Sequence, residues 1–485
     1  MISLSREEAS AALGLEDFPL PIEQVSTDTR TMMKGDAFVA LRGQRFDGHA
    51  FVETALERGA SAILVDGRWW DSPEATAFHG NPDPRLVVVP DTGVALGILA
   101  RTVRRKSQAR VIAVTGSAGK TSTKDLIAAM ARRAGRKVAS TSANQNNEVG
   151  VPLTLLSLTP DTEVAVVEMG MRGQGQIAVL ARWAEADVGV ITNIHPVHLE
   201  LLGSVEAIAE AKAELIVGLE PSSVGVIPAD CPLLTPHLAG VSARILRFSL
   251  HEGRTEAEVW ARVLGRRVGG GVLLRVHWPE GEAEVEVPFL SRHRLENTVA
   301  ALAACYGAGL PPADCLLGLN DVEFTSGRGD VMEVGSWVIV DDTYNANPAA
   351  VRAAVDDLVD LAAERRGRPV AVLGDMLELG PDAERLHTEC GAYAAEAGVQ
   401  VLWGVGRLSR ATVEGFSLAG EGGQTAIHVE TVDEADRVLA GLQPGDVVLF
   451  KASRSVRLET MVSALMKVAA PQSGPAAPTV EGDRA

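Results

Sequence analysis

Residues 111–124 read Val-Ile-Ala-Val-Thr-Gly-Ser-Ala-Gly-Lys-Thr-Ser-Thr-Lys. An apolar, β-branched run enters a glycine turn, and a helix is expected from Thr121. Strand, turn and helix in direct succession form the unit from which mostly parallel sheets, covered on both faces, are built. Gly116 and Gly119 permit a tight turn whose backbone N–H groups face inward. Those donors, with the positive end of the helix, suit phosphate oxygens. Lys120 can reach β- and γ-phosphates, and the Thr121 hydroxyl can hold Mg²⁺. The spacing is Gly-x-x-Gly-Lys-Thr; Val114 stands where the longer phosphate loop has glycine. The bland alternative is a plain strand-to-helix turn, but strand, glycines, Lys, Thr and helix all agree with the phosphate reading.

The same alternation recurs along the chain. Runs at 164–167, 188–192 and 224–227 read as further buried strands of a central domain, 91–325. Before it, residues 1–90 mix strands at 37–41, 62–65 and 86–89 with a helix over 50–58 closed by Gly59, a small mixed α/β domain. After Thr325-Ser-Gly-Arg-Gly329, residues 326–469 repeat the pattern, with strands at 338–340, 370–373, 399–403 and 447–450. That is a smaller doubly wound, Rossmann-like domain. Residues 470–485 turn to Pro, Gly, Ala and acidic residues and read as a disordered tail. The expected fold class is α/β in three domains, which suits 485 residues at roughly 150 per domain.

Lys and Arg total 45 against 63 Asp and Glu, a net charge of −18. An acidic surface repels phosphate backbones, so nucleic acid is not an expected partner. Cys231, Cys305, Cys315 and Cys390 form no Cys-x-x-Cys pair, which removes a zinc ribbon; four cysteines in so long a chain suggest a reducing compartment, with a single disulfide as the alternative. The N-terminus has no basic region followed by an apolar run, and no apolar stretch has the length of a membrane span. The expectation is a cytoplasmic protein.

Three further residues carry chemistry. Glu168 ends a buried strand, where open α/β sheets bind ligands; the alternative is a solvated loop acid. His198 follows another strand and lies three residues from His195. Without other ligands a zinc site is not expected, whereas one His near a phosphate site could hold a second metal; the alternative is a loop-capping histidine. Lys212 sits on a helix capped by Ser204, at i+4 from Ile208 and three residues before Leu215, which puts it on the apolar stripe. No acid is placed to pair with it along the helix. It either snorkels or has its charge neutralised or modified.

Taken in order, these segments resemble the ATP-dependent Mur ligase superfamily, from about Ser26 to about Met461. Thr115-Gly116-Ser117-Ala118-Gly119-Lys120-Thr121, with Ser122 next, is similar to its ATP loop. Asn146-Asn147-Glu-Val-Gly-Val-Pro152, Glu168-Met-Gly170 and His198-Leu-Glu resemble its central motifs. Ala211-Lys212-Ala-Glu214 resembles the segment whose lysine is carbamylated. Ser26-Thr-Asp28-Thr-Arg30 and Phe46-Asp-Gly48-His49 resemble the segments that bind a UDP-sugar. Arg292-His293-Arg294-Leu-Glu-Asn297 resembles the adenine-side motif, with Arg294 where Asn is usual. In the last third, Asp341-Asp342-Thr-Tyr344-Asn345-Ala-Asn347-Pro348, Leu373–Gly380 with His387, and Lys451-Ala452-Ser453-Arg454 resemble the branch that adds D-alanyl-D-alanine. Ala452 replaces a glycine of that pattern.

The resemblance implies that a UDP-N-acetylmuramoyl-tripeptide carboxylate is activated by ATP as an acyl phosphate and then attacked by the amine of D-alanyl-D-alanine. It implies that residues 1–90 bind the UDP-sugar, 91–325 bind ATP and 326–469 bind the dipeptide. Lys120, Mg²⁺ at Thr121 and Glu168, and a second Mg²⁺ at His198 and a CO₂-derived carbamate on Lys212 are the implied catalytic groups. Thr115–Ser122, His293, Asn297, Arg328 and Asp342 are the implied nucleotide contacts. Asp28, Arg30, Gly48, His49, Asn146, Asn147, Tyr344, Asn345, Asn347, Ser453 and Arg454 are the implied substrate contacts. Asn345 and Asn347 have amides that could meet a dipeptide, or form the turn before Pro348. The rival readings are another Mur or folylpolyglutamate-type amide ligase and a non-catalytic ATP-binding switch. The expected state is a monomer.

Overall fold

In a computed structural model of the chain the described residues are 1–43, 46–80, 82–196, 199–251, 256–266, 271–289 and 291–469. The tail expected at 470–485 lies outside them. The chain divides into two compact units, one of residues Met1–Thr325 and one starting at Ser326.

The first unit holds two sheets among the described residues. β1 (Val25–Ser26), β2 (Ala37–Val39), β3 (Ala62–Asp66) and β4 (Leu86–Val89) pair in chain order and in parallel. The second sheet is built on β5 (Arg110–Thr115), β6 (Val138–Ser140), β7 (Val164–Glu168), β8 (Val188–Ile191) and β9 (Val224–Pro228), continued by β10 (Arg244–Ser249), β11 (Val259–Arg266), β12 (Val272–Trp278) and β13 (Gly281–Val287). Its order is β13-β12-β11-β10-β9-β8-β5-β7-β6. β5 to β10 pair in parallel, whereas β11 to β13 form an antiparallel meander.

Register explains the apolar runs. Val111 and Ala113 of β5 enter one core, with Ala165 and Val167 of β7. Ile112 and Val114 enter the other, with Val164 and Val166. Both faces of these strands are buried, so no polar alternation survives. The meander differs: Glu282, Glu284 and Glu286 alternate with Ala283, Val285 and Val287, which pack on or in the second core. That period of two marks a sheet with one wet face. β7 and β6 lie on one side of β5, β8 and β9 on the other. The crevice outside the carboxyl end of β5 is therefore a topological switch point, where such sheets bind ligands.

The second unit holds β14 (Asp330–Val334), β15 (Trp337–Asp342), β16 (Pro369–Gly374), β17 (Val401–Val405), β18 (Thr425–Val429) and β19 (Val447–Lys451), ordered β14-β15-β19-β16-β17-β18. Only the β14–β15 pair is antiparallel. β17 starts two residues later than the expected strand. Gly398, at φ 104°, ends the helix Ala383–Ala397 in a left-handed turn, and Gln400 is spent joining the sheet through the Pro369 carbonyl. The helix expected over 50–58 is shorter, Val52–Glu57, because Asp47 first caps a 3₁₀ turn, Gly48–Phe51. The four cysteines are free thiols.

Candidate active site

The phosphate loop lies at the end of β5. Helix Lys120–Arg133 starts directly after Gly119, which adopts φ 77°, and its first-turn N–H groups have no partner within the helix. Loop and β8 end are laced together. Thr192 Oγ1 donates to the Ala118 carbonyl at 2.6 Å, and Asn193 Oδ1 accepts from the Ala118 N–H at 2.9 Å. Ser117 Oγ donates to the His195 carbonyl at 3.0 Å and accepts from the His195 N–H at 2.9 Å. Thr115 Oγ1 ties the strand end to the Met169 carbonyl at 2.9 Å. Ser122 is buried in the first turn.

Two glycines are required by contact as well as by dihedral angle. A Cβ on Gly116 would lie 1.9 Å from Thr192 Oγ1, and one on Gly119 would lie 2.3 Å from Asn297 Oδ1. Asn297 is buried on helix Arg292–Gly307 and so meets the turn of the loop, while His293, one turn earlier, keeps a side chain 41% exposed. Gly119→Ala is expected to weaken ATP binding about tenfold or more, from the ~1–3 kcal/mol of a strained backbone and a displaced Asn297. Titration calorimetry with a nucleotide would check it, and unchanged affinity would contradict this account of the turn.

Around the loop, the half-buried Lys120 and the buried Glu168 and Lys212 converge. Glu168 is 1% exposed; its Oε2 accepts from Thr121 Oγ1 at 2.7 Å and its Oε1 from Asn146 Nδ2 at 2.8 Å. Thr141 Oγ1 accepts from the Glu168 N–H at 2.9 Å. Lys120 Nζ donates to the Gly116 carbonyl at 2.9 Å. Lys212 is 2% exposed between Ile208 and Leu215 on the helix that Ser204 caps. No hydrogen bond or ion pair to its ammonium is found among the described residues. Burial, and then the Lys120 charge, push the Lys212 amine well below the usual lysine range. Burial first and the nearby His293 second hold the His195 ring below its ordinary value. Snorkelling is thus excluded for Lys212, since its end is not in water. His198 lies outside the described residues. Among the described residues no group of three or more His, Cys, Asp or Glu could hold a metal ion. The available donors, the Thr121 hydroxyl and the Glu168 carboxylate, are hard oxygens of the kind Mg²⁺ takes.

The other expected residues form separate clusters. In the first sheet, Arg30 grips Asp28 with two nitrogens, at 2.6 and 3.0 Å, and holds its carboxyl down to about 2. Gly48 allows close approach, since its Cβ would lie 2.7 Å from the Leu41 nitrogen. His49 is buried: Nδ1 meets Asp47 Oδ1 at 2.5 Å and Nε2 accepts from the Asp66 N–H at 3.0 Å. It shapes its loop with both ring nitrogens. Asn147 Oδ1 accepts from the Gly150 N–H at 3.0 Å at the start of helix Gly150–Leu156.

In the second unit Asp342 Oδ2 accepts from the buried Lys451 Nζ at 2.5 Å, and the same ammonium holds the Asn345 carbonyl at 3.0 Å. The Arg328 guanidinium lies 3.7 Å from the Tyr344 ring centroid. Asn347 Oδ1 caps helix Pro348–Arg365 through the Ala350 N–H at 2.9 Å, and Asn345 Oδ1 accepts from the adjacent Ala346 N–H. Both amides thus serve the turn through their oxygens. Ser453 Oγ accepts from the Leu377 N–H at 2.9 Å, whereas the Arg454 side chain is 62% exposed. His387 is buried, with Nε2 accepting from the Met376 N–H at 2.9 Å. Ala452 is buried against Gly374, where an added Cβ would come within 2.7 Å of the alanine methyl. Thr192, Asn193, Thr141 and Lys451 were not singled out by sequence reasoning; only Lys451, in its Ser-Arg motif, carried a visible signal.

The comparisons with known proteins agree with this geometry. Residues 21–133 match the Mur ligase family, catalytic domain; 114–305 match the Mur ligase middle domain; 327–454 match the Mur ligase, glutamate ligase domain. The chain belongs to the Mur ligase family of ATP-dependent amide ligases. Within that family its relatives include the UDP-N-acetylmuramoyl-tripeptide–D-alanyl-D-alanine ligase of Bacillus subtilis (strain 168), 37% identical over 449 residues, 92% of this chain and 93% of that protein. The enzyme of the same name from Escherichia coli (strain K12) is 33% identical over 472 residues, 96% of this chain and 99% of that protein. A crystal structure of MurF from Acinetobacter baumannii superposes with a TM-score of 0.84 at 30% identity, covering 96% of this chain and 99% of that one. MurF ligase from Thermotoga maritima in complex with ADP gives 0.77 at 27% identity, covering 92% and 97%.

Proposed function

We propose that the chain joins D-alanyl-D-alanine to UDP-N-acetylmuramoyl-tripeptide, with cleavage of ATP to ADP and phosphate, to give the UDP-N-acetylmuramoyl-pentapeptide of peptidoglycan synthesis. The observation that carries the reading is the meeting of Lys120, the buried Thr121–Glu168 pair and the buried Lys212, which has no partner among the described residues, at the carboxyl edge of one sheet. The peptide carboxylate attacks the γ-phosphate and forms an acyl phosphate, with ADP leaving. The dipeptide amine then attacks the acyl carbon, loses a proton, and phosphate departs.

The chain's own groups answer the needs of that sequence. A carboxylate and a triphosphate repel each other, and Lys120 supplies a cation beside the helix N-terminus that receives the phosphates. Thr121 and Glu168 would hold Mg²⁺, with Asn146 orienting the carboxylate. Lys212, as a carbamate, and His198 would hold a second. Bound Mg²⁺ supplies positive charge at the phosphate oxygens. Burial favours the neutral form of the Lys212 amine, and a neutral amine is the form that adds CO₂ and releases a proton. A carbamate would also turn a buried amine with no partner among the described residues into an oxygen ligand, which is the physical support for that modification.

Residues 1–90 are assigned to the UDP-sugar through Asp28, Arg30 and the loop that Gly48 and His49 shape. Residues 91–325 are assigned to ATP, with His293 and Asn297 on the adenine side. Residues 326–469 are assigned to D-alanyl-D-alanine through Tyr344, Asn345 and Asn347, with Ser453 and Arg454 directed to the peptide end of the UDP-sugar substrate and Arg328 and Asp342 to the nucleotide. A cytoplasmic monomer fits the proposal; among the described residues no helix is long and apolar enough to cross a membrane.

The test is ADP release from Mg·ATP and UDP-N-acetylmuramoyl-tripeptide, with and without the dipeptide. Release that requires the dipeptide, with a pentapeptide product by mass, is the expected result. Release indifferent to the dipeptide would overturn the acceptor assignment.

A further inference from the structure

The first unit ends at Thr325 and the second starts at Ser326. The last two residues before that boundary are held by two different helices. Asp125, on helix Lys120–Arg133, accepts from the Thr325 N–H at 3.0 Å and from Thr325 Oγ1 at 3.1 Å, both at Oδ2. Its Oδ1 pairs with the buried Lys124 Nζ at 2.8 Å. That ammonium donates to the Thr141 carbonyl at 3.0 Å, and Thr141 Oγ1 holds the Glu168 N–H. Arg294, on helix Arg292–Gly307, places its guanidinium 4.2 Å from the Phe324 ring centroid. Phe289 meets the same ring edge-on, with centroids 5.8 Å apart.

The two helices are those that carry Lys120 and Thr121 on one side and His293 and Asn297 on the other. Each therefore fastens one of two consecutive residues at the point where the chain leaves the nucleotide-binding unit. Asp125 is 12% exposed and its contacts are charge-assisted, so it is a firm anchor. Arg294 is the residue that departs from the resembling adenine-side motif, and a guanidinium over an aromatic face is a contact an asparagine cannot make.

We infer that Asp125 and Arg294 are positioning residues of the ligation: they fix Phe324 and Thr325, and so the point from which the dipeptide-side unit starts, to the helices that hold ATP. The inference rests on the ligase reading for its kinetic part only. Neither side chain needs to touch a substrate, so their loss should act on turnover and leave nucleotide affinity in place.

The experiment uses the full chain and the variants Asp125→Ala, Thr325→Val, Arg294→Met and Arg294→Lys. Thr325→Val removes one donor with almost no change of shape, which keeps the test open if Asp125→Ala folds poorly. Deuterium uptake of peptides spanning 322–328 is expected to quicken in Asp125→Ala and in Thr325→Val, in the latter at an unchanged melting temperature. kcat for dipeptide-dependent ADP release is expected to fall about tenfold in Asp125→Ala while KM for ATP moves less than about threefold. Arg294→Lys, which keeps a cation over the ring, should lie between wild type and Arg294→Met. Unchanged uptake in both Asp125→Ala and Thr325→Val, or a fall in kcat matched by an equal loss of ATP affinity, overturns the inference. If the wild-type chain shows no dipeptide-dependent release, the ligase reading fails instead, and the uptake measurement still decides the anchorage.

Discussion

Lys120→Met should lower kcat for dipeptide-dependent ADP release by about a thousandfold, with a much smaller change in melting temperature. The magnitude follows from the charges that must meet. A carboxylate and a phosphate oxygen about 4 Å apart repel by ~4 kcal/mol at the effective dielectric of a partly buried site. About 1.4 kcal/mol corresponds to tenfold in rate, so an uncompensated repulsion of that size amounts to some three decades. Lys120 is only half-buried and its ammonium donates to a loop carbonyl, so little of the fold depends on it. ATP binding should weaken less than turnover, since the first-turn amides remain. Steady-state kinetics with a calorimetric affinity would separate the two, and a variant keeping more than a tenth of the wild-type rate would remove Lys120 from its proposed role.

The second large effect runs in opposite directions for activity and stability. Lys212→Met should abolish measurable ligation, about a hundredfold or more, and yet make the chain more stable in CO₂-free buffer, by ~1–3 kcal/mol. Burial, and then the Lys120 charge, hold the Lys212 amine well below the ordinary lysine range in the folded chain. On unfolding it takes up a proton at any pH between the depressed value and the ordinary one. Wild-type stability should therefore rise with pH across that window, because the unfolded state binds the extra proton. The methionine variant lacks this slope and fills the same space without an amine. Bicarbonate with Mg²⁺ should raise the melting temperature of the wild type and leave the variant unmoved. A variant less stable than wild type at both pH 7 and pH 9.5 would mean that the amine has a partner, and the carbamate proposal would lose its physical ground.

What the sequence disclosed depends on how local each feature is. The phosphate loop is legible because strand, glycines, Lys120, Thr121 and helix are contiguous, and Lys212 because a helix stripe is a local pattern. The clasp on Glu168 is not, since Asn146 and Thr141 reach it across the fold from residues with no period of their own. The meander of β11, β12 and β13 escaped because its Arg and Glu residues dilute the apolar signal that betrays the parallel strands. His49, His387 and Asn347 show a different limit. Their motifs identify the family, but His387 and the Asn347 side-chain oxygen spend their hydrogen bonds on neighbouring backbone, and His49 on the Asp47 carboxylate and the Asp66 N–H, and only coordinates disclose such local work.

Where Gly374 ends β16 beside Ala452, the residue after β19, there is room for a single methyl group, and it sits on Ala452. A second, on residue 374, would collide with it, whereas with glycine at 452 the nearest obstacle would be Val456 Cγ1 at 3.2 Å. The two positions therefore share one vacancy, and the steps between their states have a direction. From glycine at both, either may acquire the methyl; once it is in place at 452, the other position is locked. Moving the methyl from one position to the other therefore requires Ala452→Gly before Gly374→Ala.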